Sequence, residues 1–280
     1  MPVKPLAKLR PNVQPVRRGE QEPGQALEEA VPKPVLRAPV PAESERVLTG
    51  IPGLDELLGG GFERQSTNLV MGGAGCGKTT FVTQFLYNGA TQYDEPGVIL
   101  SFDESTDSVL RHMQKYGFDF KTLSEKNMFA TINYRPHEVK KLIEEGGGLI
   151  LDTISSLGAK RLVIDPITPY LMLFESGYQA REAQITFFEL LKKWKCTTLL
   201  SAQGTFAKKT KASDGIEYLA DSVILMHHPR SQTSRYRALE VVKMRGGKAI
   251  EKLCPFEIVD GLGIKIYPKE TVFYDVGKGD

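Results

Sequence analysis

Apolar residues along this chain come in short bursts, and two different periods alternate. "TNLVMG" (67–72), "GVILSF" (97–102), "RLVID" (161–165), "TTLLSA" (197–202) and "SVILMH" (222–227) are predominantly apolar runs, the pattern of strands buried on both faces. Between them lie stretches with helical spacing: 78–92, 106–116, 137–145, 149–157 and 181–194. In the last of these Ile185, Phe188 and Leu191 are expected to share a buried face. Strands alternating with helices predict an α/β fold, a mainly parallel sheet flanked by helices on both faces. The final third changes character. "YRALEVVKM", "FEIVDG" and "GIKIYP" read as successive antiparallel strands, an extension that a parallel sheet tolerates. Leu54, Leu57 and Leu58 recur at helical spacing within "VLTGIPGLDELLGGG", so ordered structure is expected to begin close by. With no internal repeat, residues 46–280 are expected to form one domain.

Residues 1–45 break the pattern. They hold nine of the seventeen prolines and almost no aromatic residues. Proline removes backbone donors and favours extended chain, so this segment reads as a disordered tail. A docking segment for a protein partner is the secondary reading. Elsewhere composition changes little: 41% hydrophobic and 25% charged residues describe an ordinary soluble domain. A net charge of +2 supplies no whole-protein attraction to nucleic acid or to an acidic membrane. Cys76, Cys196 and Cys254 are too scattered for a disulfide framework or a metal knuckle and fit a reducing compartment. No apolar run approaches the roughly 18 residues of a spanning helix, and the N-terminus lacks a signal-peptide core. A cytoplasmic protein without a membrane partner is the expectation.

Candidate chemistry concentrates after the first of the apolar runs. Gly72, Gly73, Ala74, Gly75, Cys76, Gly77, Lys78 and Thr79 fit G-x-x-x-x-G-K-[ST] at every fixed position, between an expected strand and an expected helix. Glycines let the backbone wrap a phosphate chain with its N–H groups pointing inward. The helix N-terminus, where Thr80 follows, adds partial positive charge. Lys78 would reach the β- and γ-phosphates of a nucleoside triphosphate, ATP, and the Thr79 hydroxyl would bind Mg²⁺. Asp165, closing "RLVID", would supply the second metal ligand from the same edge of the sheet. "SFDES" carries Asp103 and Glu104 to the end of another strand, where Glu104 is the first choice as base for hydrolysis and Asp103 its helper.

"TGIPGLDELLGGG", the glycine loop, "QFLYNGA", "DEPGVILSFDES", "RLVID" and "LEVVKMRGG…CPFEIVDGLGIKIYP" together resemble the KaiC-like branch of the RecA/RadA ATPase superfamily, in order from about residue 46 to 268. The resemblance implies a RecA-like core assembled into a homo-oligomeric ring, usually a hexamer, with ATP between subunits. It implies a carboxylate pair at Asp103 and Glu104, and a K-x-R motif at Lys243 and Arg245 that reaches a neighbour's γ-phosphate. Two residues apart on a strand share a face, which suits that role. Gln203 stands where RecA-type proteins place a polar γ-phosphate sensor. Three departures from the clock members accompany the likeness. Glu217 and Tyr218 replace the Ser-Thr pair those proteins phosphorylate, which argues against an autokinase. Pro166 follows Asp165 in place of serine, and Ala249 stands where the first clock core has histidine.

Competing readings are a recombinase paralog that binds single-stranded DNA through 204–214, with its "KKTKAS" lysines, and a nucleotide-binding scaffold that hardly hydrolyses. Little aromatic stacking accompanies those lysines, apart from Phe206, so DNA is the lesser expectation. Cys76 reads as a bland small residue rather than as an oxidation-sensitive switch, although a helix N-terminus lowers a thiol pKa.

Overall fold

The computed structural model describes residues 46–102, 106–174, 177–204, 215–229 and 235–270. The proline-rich segment 1–45, Asp103, Glu104 and the 205–214 loop lie outside the described residues.

Two short strands, β1 (Arg46–Val47) and β2 (Phe62–Glu63), pair antiparallel around the one-turn helix α1 (Leu54–Leu57). The alternating region follows as β3 (Thr67–Gly72), α2 (Lys78–Gln92), β4 (Gly97–Ser101) and α3 (Thr106–Met113), the last prolonged by a 3₁₀ turn. Next come α4 (Phe120–Glu125), β5 (Phe129–Asn133), α5 (Pro136–Glu144), α6 (Gly148–Leu157), β6 (Arg161–Ile164), α7 (Thr168–Leu171), α8 (Gly177–Lys193) and β7 (Thr197–Gln203). The chain then runs through α9 (Ile216–Leu219), β8 (Ser222–His227), β9 (Ala238–Met244), β10 (Cys254–Val259) and β11 (Gly263–Ile266).

Nine strands form one sheet in the order β11-β10-β9-β8-β3-β7-β6-β4-β5. The six from β8 to β5 are parallel, and β9, β10 and β11 extend the sheet antiparallel. The fold class is therefore the expected one, a mainly parallel RecA-type sheet with antiparallel C-terminal strands. Its core obeys the two-residue period of a strand. Val70, Ile99, Val163, Leu199 and Ile224 face one hydrophobic layer, under α1, α2 and α3. Their neighbours Leu69, Leu100, Ile164, Leu200 and Leu225 face the other, under α5 to α9. Each central strand is buried on both sides, which is why its sequence runs apolar without alternation.

One strand went unread and one helix face needs correction. Nothing in the chain had pointed to β5, an edge strand in which Phe129 and Ile132 alone are fully buried. On α8 the buried face is Ala180, Gln184, Phe187, Phe188, Leu190 and Leu191, whereas Ile185 is 41% exposed. A stripe through 184, 187, 188 and 191 keeps the three-to-four spacing as well as 185, 188 and 191 does, and Gln184 takes the inner place.

Candidate functional site

The parallel strands end on one edge of the sheet, and most of the residues singled out above stand there. Gly72 closes β3 and lies opposite Gln203 on β7 and Met226 on β8. The loop 73–76 leaves this edge, and Gly77, at φ 103°, opens α2 as its N-cap. Only glycine takes that φ without strain. The cradle is also narrow on its inner side: a Cβ on Gly72 would come 2.6 Å from the Cys76 sulfur, and one on Gly77 would come 2.9 Å from Cδ1 of Ile258. On Gly73, by contrast, a Cβ would meet nothing within 4 Å. The loop is thus packed from below by β8 and β10 and open above.

Lys78, Thr79 and Thr80 form the first turn of α2. The Lys78 ammonium donates to Gly72 O and Gly73 O, both at 2.9 Å. Thr83 reinforces the turn, its hydroxyl donating to Thr79 O at 2.7 Å. Cys76 is fully buried, and burial pushes its thiol pKa up against the partial lowering by Lys78. A thiol so placed is a packing residue.

Asp165 follows β6 at the same edge. Its backbone N–H donates to Leu100 O at 3.1 Å, its carboxylate accepts from the Ser201 hydroxyl of β7, and its peptide bond to Pro166 is cis. Because β4 borders β6, the chain that leaves β4 toward Asp103 and Glu104 starts beside Asp165. Gln203 is exposed, with its backbone N–H held by the Thr168 hydroxyl at 2.9 Å.

Lys243 and Arg245 are elsewhere. Lys243 lies opposite Val223 and Met244 opposite Ser222, at the start of β8. That is the amino edge of the parallel strands, a full strand length from the glycine loop. At about 3.3 Å per residue the six residues of β3 span roughly 16 Å. A cleft of about 260 Å³ is lined by Lys243 together with Val241, Val242, Met244, Lys248 and Ala249 among others. A second cleft of about 490 Å³, lined by Lys140, Tyr170, Phe174 and Glu182 among others, lies among α5, α7 and α8 and away from the glycine loop.

Two residues at the loop were not anticipated. A Cβ on Gly75 would stand 3.9 Å from Nδ1 of His228. The charge of Arg237 reaches the Cys76 thiol. His228 Nδ1 and Arg237 Nε are both buried and have no hydrogen-bond partner among the described residues. Burial pushes the His228 pKa down, and the charges of Arg237 and Arg235 push it the same way. Arg237 Nε–H, a cationic donor left open near a glycine cradle, suits an anionic ligand. The density of basic residues in 227–237 was the available signal, but only the β8–β9 pairing brings them to the loop.

A family model described as the KaiC ATPase matches residues 47–271. A UPF0273 protein of Methanocaldococcus jannaschii is 29% identical, covering 81% of this chain and 98% of the relative. One of Pyrococcus horikoshii is 31% identical, over 82% and 96% respectively. The circadian clock oscillator protein KaiC of Parathermosynechococcus lividus is 29% identical over 79% of this chain but only 42% of its own length. Among solved structures, a KaiC-like protein from Pyrococcus horikoshii superimposes with a TM-score of 0.71 at 32% identity, covering 80% of this chain and all of that one.

Proposed function

The chain belongs to the KaiC family of ATPases, and from that premise we propose that it is a Mg²⁺-dependent ATP hydrolase that works as an oligomer, each nucleotide lying between two subunits and acting as a switch for a cellular partner. One observation carries the oligomeric part. Lys243 and Arg245 stand at the opposite edge of the sheet from this chain's own glycine loop, which supports a role toward a nucleotide held by another copy rather than toward their own.

In this reading the loop 72–77 wraps the triphosphate with its backbone N–H groups, and Lys78 exchanges the carbonyls of Gly72 and Gly73 for phosphate oxygens. Arg237 brings an unsatisfied N–H donor that favours an anion beside the loop. Thr79 and Asp165 would hold the Mg²⁺, which when bound neutralises charge on the phosphates. A hydroxyl and a carboxylate, both hard oxygen donors at one sheet edge, suit that ion. Ser201 fixes the Asp165 carboxylate in place. Glu104 takes a proton from the attacking water, with Asp103 beside it, and Gln203 senses the γ-phosphate. From the neighbour, Lys243 and Arg245 stabilise charge developing on that phosphate. The cleft of about 260 Å³ that Lys243 lines receives the rest of the neighbour's nucleotide. The ring size, usually six, the cytoplasmic setting and a partner for residues 1–45 are part of the same proposal. Among the described residues no helix is long and apolar enough to cross a membrane.

Subunit mixing tests the shared site. Arg245→Ala and Glu104→Gln chains should each be inactive alone, and activity should partly return in mixed assemblies, where some interfaces join an intact Glu104 to an intact Arg245. Light scattering with and without Mg-ATP reports whether the assemblies form. Mixed rings that stay inactive would sink the in-trans assignment, and stimulation by single-stranded DNA would favour the recombinase reading.

A further inference from the structure

Both cations of the K-x-R motif are held within the single subunit, Lys243 completely and Arg245 in part. The Lys243 ammonium donates to Glu217 O at 2.9 Å, Tyr218 O at 3.1 Å and Ala220 O at 2.6 Å. An ammonium has three protons to donate, so every donor of Lys243 is committed. The acceptors are the carbonyls at the C-terminal end of α9, a single helical turn whose last carbonyls have no partner within the helix. A cation there is also favoured by the helix dipole.

Arg245 is held beside it more loosely. Its Nη2 donates to Tyr218 O at 2.9 Å, its Nη1 pairs with Asp221 Oδ1 at 3.4 Å, and its backbone N–H donates to Asp221 O at 2.8 Å. A guanidinium has five N–H donors, so some remain for another acceptor. Asp221 is itself anchored to the first residue of β3: its N–H donates to Thr67 O at 2.7 Å, and its Oδ2 accepts from the Thr67 N–H at 2.9 Å. The β8–β9 register slips between Val223 and Ile224, opposite this stretch of β9, the kind of irregularity that re-aims a side chain.

We propose that the α9 carbonyls and Asp221 form a latch, competing inside each subunit with the neighbour's triphosphate for Lys243 and Arg245. This rests on the in-trans reading above. Lys243 has no spare donor, so it must leave α9 before it can touch a phosphate, whereas Arg245 can reach with its free donors first. ATP binding at the subunit's own loop is unaffected by the latch, because that loop lies at the other edge. Turnover is restrained by it. Of the carboxylates near Lys243, Asp221 contributes most to holding its charged form, against the effects of burial and Arg245.

The test is Asp221→Asn. The amide oxygen can still accept from the Thr67 N–H, while its NH₂ group faces Arg245 where a carboxylate stood. Loss of one partly exposed ion pair should raise kcat roughly two- to fivefold, with KM for ATP unchanged. Asp221→Glu, which keeps the charge, should stay near the parent rate. A merely structural role would lower kcat and melting temperature together, so an unchanged or reduced kcat overturns the latch. A second measurement needs no change at Asp221. In nucleotide-free protein, heteronuclear NMR of the lysine ammonium groups should show slow proton exchange at Lys243, assigned by its loss in Lys243→Met, and fast exchange at exposed Lys248. Fast exchange at Lys243 overturns the latch even if mixed-ring rescue succeeds, in which case the shared site stands without it. Failed rescue overturns the shared site, and with it the regulatory role given to the latch.

Discussion

The carboxyl and amino edges of the parallel sheet both carry buried or half-buried cations, but their surroundings differ. At the carboxyl edge Lys78 donates to two loop carbonyls, on a backbone where Gly73 has open space above it. At the amino edge Arg161, the first residue of β6, is completely buried. Its Nε donates to Glu95 Oε2 at 2.7 Å, its Nη1 to Phe85 O at 2.8 Å and its Nη2 to Leu48 O at 2.8 Å. The guanidinium lies over the rings of Phe85 and Tyr93, at 4.4 Å and 5.2 Å from their centroids. Burial pushes its pKa down and Glu95 opposes that shift. Even Gly89 in the middle of α2 is explained by it, since a Cβ there would come 2.4 Å from the Arg161 side chain. A cation whose partners come from three separate segments ties those segments together. One whose partners are two carbonyls of its own loop can exchange them for a phosphate at small cost. The first builds the domain, and the second is available for chemistry.

If this contrast holds, the largest effect on folding comes from Arg161→Met. It leaves two carbonyls without their donor and Glu95 with the longer Arg64 pair at 3.4 Å in place of its closest one, and breaking a buried pair this way typically costs about 3–5 kcal/mol. Thermal or urea unfolding should show that loss, while the protein that remains folded still binds ATP. Next in size is Glu104→Gln, which should retain nucleotide binding and lose hydrolysis by about 10²-fold or more, the usual worth of a positioned base. If Asp103→Asn proves the more damaging change, the roles of the two carboxylates are exchanged. Lys78→Ala follows. A charge-assisted hydrogen bond of about 1.5–3 kcal/mol corresponds to roughly 10- to 150-fold weaker binding of a fluorescent ATP analogue. Its melting temperature without nucleotide should match the parent. A fall as large as that of Arg161→Met would erase the distinction between the two cations.

Much of the fold could be read from the chain for a physical reason. β3, β4, β6, β7 and β8 are buried on both faces, so their apolar runs have sharp ends, and α2 covers the 78–92 expected of it. β5 escaped because an edge strand with exposed Thr131 and Asn133 has no such run. The site divides in the same way. Gly72 to Thr79 was legible because one loop supplies all of its groups at fixed spacing. His228 and Arg237 were not, because a strand pairing brings them to the loop. The partners of Lys243 left no trace in the sequence either, since they are backbone carbonyls, which every residue has.

The smallest expected effect concerns the boundary of the folded unit. Arg46 begins the described structure already tied down: its Nη1 donates to Gly61 O at 2.7 Å, and a Cβ on Gly247 would come close enough to its guanidinium to displace it. Val47 is 2% exposed, and its strand pairs with β2. The proline-rich composition of 1–45 offers little apolar surface to bury. A chain starting at Ser44 keeps both Arg46 and Val47, so its stability should lie within about 0.5 kcal/mol of the full chain, the range of surface changes remote from any special feature. ATPase activity should be equally unmoved, because neither edge of the sheet draws a named residue from 1–45. A drop of several degrees in melting temperature would mean that the proline-rich segment packs on the domain, and the boundary at 46 would have to move toward the N-terminus. Unchanged stability with altered turnover would instead make the segment a regulator of a site that it does not help to fold.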